Sequence, residues 1–191
     1  VVSVFRGNTA FDHFQSGIYV TGDGATVDGG NETYGNRGKR QAEQVQLMRK
    51  LWSEDSLTYQ SDYHSIDAAS INPRPSKTIP VWFGGSAAAV LKRCGELGDG
   101  WIPLMGANAS AQECLDTIRM HREAAGLSWD GFGIQAQAAY AGGTPERWAS
   151  HAGKWRDMGC THLAVHTHNA GQTDVDGHLA RIQEYLDAVN A

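Results

Sequence analysis

The feature that most constrains this chain is an alternation that begins at Pro80. A short apolar run, a loop and an amphipathic helix follow one another repeatedly to the C-terminus. Pro80 to Phe83 is apolar throughout, as expected of a strand buried on both faces. Ala87 to Leu97 then puts Val90, Leu91, Cys94 and Leu97 on one helical face and stops at Gly98. Trp101 to Leu104 reads as a second strand. Ser110-Ala-Gln-Glu113 has the form of a capping box opening a helix whose Cys114, Leu115, Ile118 and Arg122 stem share a face, and which ends before Gly126. Phe132 to Ala138 is a third strand. Thr144-Pro145 caps and starts a helix with Trp148, Ala152 and Trp155 inward. His162 to His166 is the last strand, and Leu179, Ile182, Leu186 and Val189 define the last helix.

Repeated strand-to-helix units predict a parallel sheet. Each unit takes roughly 30 residues and a closed eight-unit barrel about 250. The predicted fold class is therefore α/β, of the (β/α)8 TIM-barrel type, with this 191-residue chain carrying the C-terminal half to two-thirds of the barrel. Residues 37–191 form that part. Within it, Ala42, Val45, Met48 and Leu51 or Trp52 predict an amphipathic helix from Arg37. Leu57 to Tyr59 and Tyr63 to Ile66, separated by a Ser61-Asp62 turn, predict a small hairpin. Asn72-Pro73-Arg74-Pro75 must be extended, because each Pro biases its predecessor away from helix. Residues 1–36 are different in kind. They hold seven of the 23 glycines and one Lys or Arg, Arg6, and predict an irregular segment with one or two strands at Val1 to Phe5 and Gly17 to Val20.

Composition narrows the classes of partner. Sixteen Lys and Arg against 21 Asp and Glu leave no basic surplus for a phosphate backbone, so nucleic acid is not expected. No apolar run approaches the ~18 residues of a membrane span, and no charged segment leads into an apolar core as in a signal peptide. Cys94, Cys114 and Cys160 are an odd number without CxxC spacing. They are expected as small core residues in a reducing cytoplasm.

Three motifs carry chemistry. Phe83-Gly84-Gly85-Ser86 lies between a strand end and a helix start, where glycines admit a close ligand and unpaired N–H groups favour an anion. Phosphate binding by Gly84, Gly85 and Ser86 competes evenly with a tight turn in which Ser86 caps the helix. Gly98-Asp99-Gly100-Trp101 reads as turn chemistry at the opposite end of the sheet, with Trp101 a core residue. His162, His166 and His168 have the even spacing of one strand face and offer a metal-dependent hydrolase as an alternative, but the other His and Asp residues do not fall at strand C-termini, so no metal site is assigned. His13, His64, His121, His151 and His178 are expected as solvated histidines. No GxSxG, P-loop or GxGxxG after a strand is present.

Five segments, in order, resemble the luciferase-like monooxygenase family of flavin- and deazaflavin-dependent (β/α)8 barrels. They are Arg37-Gly-Lys-Arg-Gln-Ala-Glu43 leading to Leu51-Trp52, Asn72-Pro-Arg-Pro75, Ile79-Pro-Val-Trp-Phe-Gly-Gly-Ser86, Gly98-Asp-Gly-Trp101 and Gly159-Cys-Thr-His-Leu163. The resemblance covers about Arg37 to Ala191, and residues before Arg37 do not resemble the family. It implies an oxidoreductase with reduced FMN or reduced coenzyme F420 at the C-terminal face of the barrel and a small-molecule substrate. The cofactor phosphate would meet Gly84, Gly85 and Ser86. FMN would imply oxygen activation and F420 hydride transfer, and the Thr161-His-Leu-Ala-Val165 strand looks more like the F420-linked branch. No catalytic residue is carried over. A half barrel exposes two sheet edges, so association with a second copy, or membership of a longer polypeptide, is expected. A non-catalytic cofactor-binding or oligomerising module is the remaining alternative.

Overall fold

The computed structural model describes residues 36–190. The strands expected at Val1 to Phe5 and Gly17 to Val20 lie outside them. The chain divides into two compact units, one ending at Ile79 and the other beginning at Pro80, a boundary inside the 37–191 span.

In the first unit, α1 (Arg37–Ser53) buries Val45 and Leu47. The hairpin pairs β1 (Leu57–Gln60) with β2 (Ser65–Ala69) in antiparallel register, Gln60 opposite Ser65. The second strand starts later than Tyr63 because Ser61 captures the chain. Its hydroxyl accepts the backbone N–H groups of Tyr63 and His64 at 3.0 and 3.1 Å, holding them in the turn. The same hydroxyl donates to Glu43 of α1, whose carboxylate also meets His64 Nδ1 at 2.9 Å. Burial alone would raise the Glu43 pKa, but hydrogen bonds from Ser61 and His64 outweigh it and hold the carboxyl below its ordinary value. Asn72-Pro73-Arg74-Pro75 lies outside helix and strand, but Asn72 and Pro73 form a bend with a cis peptide bond between them instead of the extended run expected.

The second unit is four βα repeats: β3 (Trp82–Gly84), α2 (Ala88–Leu97), β4 (Gly100–Ile102), α3 (Ala109–Ala124), β5 (Gly133–Ala139), α4 (Pro145–Asp157), β6 (His162–His166) and α5 (Val175–Asn190). The strands pair in parallel and in sequence order, β3-β4-β5-β6. A doubly wound sheet reverses its strand order, whereas this sheet steps one way, as in a (β/α)8 barrel. Along the strands one set of side chains, Phe83, Trp101, Ile134, Ala136 and Ala138, is buried, each 5% exposed or less. The alternate set, Trp82, Ile102, Gln135, Gln137 and His166, lies on the other face, consistent with a period of two.

One expectation is corrected here. The α3 cap is Asn108, whose side chain accepts the Ala111 N–H at 3.1 Å, and Ser110 already lies inside the helix. The last helix buries Tyr185, while Leu179 and Leu186 are 57% and 40% exposed. Apolar residues cover more than one stripe of α5, so periodicity did not settle which stripe turns inward. By contrast, Thr144 caps α4 by accepting the Arg147 N–H, and Trp148, Ala152 and Trp155 are buried as expected. Cys94 and Cys114 are buried and Cys160 half-buried, all free. Burial pushes the Cys94 thiol up to about 12, which keeps it protonated and unreactive.

Candidate functional site at the strand C-termini

The glycines of the parallel sheet sort by what a side chain would meet. At Gly100 and Gly133 an added Cβ would collide with the Trp82 ring. Gly100 and Gly133 open β4 and β5 in register with Trp82, so one indole lies across the space that two missing side chains leave. The ring ends edge-on against His162, centroids 5.1 Å apart and planes at 89°. This layer lies at the N-terminal end of the strands. Gly98 is equally constrained, since its Cβ would strike the Cys94 carbonyl. Asp99 ties the turn to the neighbouring strand: its carboxylate accepts the Val81 N–H at 2.8 Å and its own N–H donates to the Val81 carbonyl at 2.8 Å. Gly98 to Gly100 is turn chemistry at the N-terminal end, as expected.

Gly84 and Gly85 are different. A Cβ at Gly84 would meet nothing nearer than the Ile102 carbonyl at 3.7 Å, so internal packing does not require glycine there. Gly85 has φ +107°, a conformation reserved in practice for glycine. Its carbonyl accepts a 2.8 Å hydrogen bond from the indole of Trp101, a residue with no solvent exposure. Ser86 does not cap α2. The N-cap is Ala87, whose carbonyl accepts the Val90 and Leu91 N–H groups and which has no side-chain oxygen to offer the helix start. The uncapped first turn of α2 and the glycine loop therefore meet at the C-terminal end of β3.

The three histidines are not brought together. His162 and His166 are the first and last residues of β6, roughly 13 Å apart at strand rise. His166 and His168 are closer, with ring centroids 5.7 Å apart. Among the described residues no group of three His, Cys, Asp or Glu side chains could hold a metal ion. His64 and His178 are not solvated as expected. They bond Glu43 and, through Nδ1 at 2.7 Å, Thr167. Burial, helped by the Lys154 charge, lowers the His151 pKa. Two cavities, of about 420 and 300 Å³, flank α4, and their linings do not include Gly84 to Ser86. Among the described residues no helix is long and apolar enough to cross a membrane.

Comparison with known proteins bears on the family and the fold. Over 70 residues, 37% of this chain and 21% of the relative, it is 39% identical to an F420-dependent glucose-6-phosphate dehydrogenase of Segniliparus rotundus. Over 94 residues, 48% of this chain and 28% of the relative, it is 35% identical to the Mycobacterium tuberculosis protein of the same description. The matched segments thus span about a quarter of these relatives. A solved F420-dependent secondary alcohol dehydrogenase, in complex with an F420-acetone adduct, superposes with TM-score 0.69 at 16% identity, covering 85% of this chain and 65% of that one, which shows the fold. The family model for luciferase-like monooxygenase matches residues 17–157. The likeness therefore begins upstream of Arg37, contrary to the expectation from the motifs. The chain, part of a (β/α)8-type barrel, belongs to the luciferase-like monooxygenase family.

Proposed function

We propose that this chain is part of an F420-dependent oxidoreductase in which the backbone of Gly84 and Gly85 and the hydroxyl of Ser86 hold the cofactor's phosphate. The observation that carries the reading is Gly84: glycine stands at the end of β3 where the fold itself has room for a side chain, beside a helix start without a side-chain cap. Such a surface fits a phosphate, which takes hydrogen bonds from backbone N–H groups and is favoured by the positive end of the helix dipole. The descriptions of the relatives favour F420 over FMN. When bound, reduced F420 supplies the hydride for a small-molecule substrate. The chain's own residues bind and orient: the loop holds the anion, and Trp82 packs across the far end of the strands. The free thiols suit a reducing cytoplasm.

β3 and β6 each have one neighbour in the four-stranded sheet. In this reading their open edges are covered by further strands of the same polypeptide or by a second copy. A stable monomer in sedimentation, with the chain taken alone, would contradict that coverage.

The test is a titration of wild type and Gly84→Val with F420 and with FMN. Saturable F420 binding that weakens at least about tenfold in the variant, with the thermal transition unchanged, is the expected result. Equal affinity in both proteins would remove the loop from the site, and preference for FMN would change the cofactor.

A further inference from the structure

We infer that Trp101 is a positioning residue of the anion loop, acting through its indole N–H on the Gly85 carbonyl to aim the Ser86 N–H out of the protein. This rests on the reading of Gly84 to Ser86 as the phosphate site. Trp101 reads from sequence as a core side chain, and its ring is indeed wholly buried. Its one polar atom is used selectively. Trp148 and Trp155 are also buried, and their indole nitrogens have no hydrogen-bond partner among the described residues. Trp101 reaches beyond the end of β3 and donates to Gly85 at 2.8 Å.

The consequence follows from the peptide unit. The Gly85 carbonyl and the Ser86 N–H belong to one planar trans peptide, so they point in opposite directions. With the oxygen tied to a buried indole, the N–H is turned away from the core. Gly85, at φ +107°, supplies the backbone conformation. Trp101 is itself held firmly. Phe83 and Trp101 are ladder partners, the Cys94 thiol donates to the Gly100 carbonyl at 3.4 Å, and Asp99 is bonded to Val81. The donor is therefore placed before any ligand arrives, which reduces the ordering that binding would otherwise require.

Two variants of the full chain test this. Trp101→Phe removes the donor but shrinks the ring. Incorporation at position 101 of the benzothiophene analogue of tryptophan, with sulfur in place of N–H, removes the donor and keeps the shape. In both, the Ser86 amide 15N resonance, which senses the hydrogen bond on the preceding carbonyl, should move while the β4 and β5 amide resonances are unchanged, and F420 affinity should fall about fivefold to tenfold, the loss of one buried hydrogen bond. Restoring tryptophan restores both. An unmoved Ser86 amide resonance in the isostere overturns the role of Trp101. So does unchanged affinity in the isostere beside weakened binding in Gly84→Val. Full binding in Gly84→Val fails the loop reading instead, so the two failures are distinguishable.

Discussion

The floor and the rim of the parallel sheet both depend on glycine, yet a methyl group added in the two places would meet opposite surroundings. At the floor, Gly100 and Gly133 make way for the Trp82 ring, and a Cβ would overlap it. At the rim, Gly84 makes way for nothing in the described protein, its nearest would-be neighbour being at ordinary contact distance. The same residue type thus records a packing demand at one end of the strands and open space at the other. In barrel enzymes the strand C-termini carry function and the N-termini carry stability, which is the division the proposed function applies here.

The comparison can be broken most directly at the floor. Gly133→Val should destabilise the second unit by about 3 kcal/mol, because the rigid indole of Trp82 cannot give way as a flexible side chain would. Urea unfolding measures it, and a loss below about 0.5 kcal/mol would mean that the floor is not packed as described. Gly85→Val falls between the two ends. Its positive φ should cost about 1–2 kcal/mol of stability in the same assay, on top of lost F420 binding. Thr144→Ala removes a helix cap from neither layer and should cost about 1 kcal/mol with F420 affinity intact. If affinity also falls, rim and scaffold are not separable.

The smallest effect lies in the first unit, away from both layers. Glu43 titrates below its ordinary 4.5 when folded, so its hydrogen bonds stabilise the folded state above that value. The contribution is lost as pH falls through the lower folded value. Glu43→Gln should therefore cost about 1 kcal/mol at neutral pH and nothing at the acid end. A pH series of thermal transitions for wild type and variant shows the two curves converging, and curves that stay parallel would deny the carboxylate its role.

Much of the scaffold was legible because helical periodicity is a strong signal where only one stripe is apolar, as in α4 with Trp148, Ala152 and Trp155. In α5 it gives the helix but not its buried side, because Leu179 and Leu186 continue the apolar surface beyond the stripe that Tyr185 anchors. The hairpin was placed early because hydrogen bonding by the Ser61 hydroxyl competes with strand extension, a contest that residue type alone does not decide. Gly84 to Ser86 stands out as a motif, but the helix starts one residue beyond Ser86, which leaves Ala87 at the cap position with no side-chain oxygen. Two features had no signal in the sequence. Trp82 reaches neighbours 18 and 51 positions away, and the Trp101 indole finds its acceptor 16 positions back. Both are long-range consequences of parallel pairing, and neither follows from local composition.

The Trp82 floor also bears on how substitutions combine. One indole spans the register of three strands, so changes at Gly100 and Gly133 meet the same ring, and their stability losses should be non-additive in a double-mutant cycle.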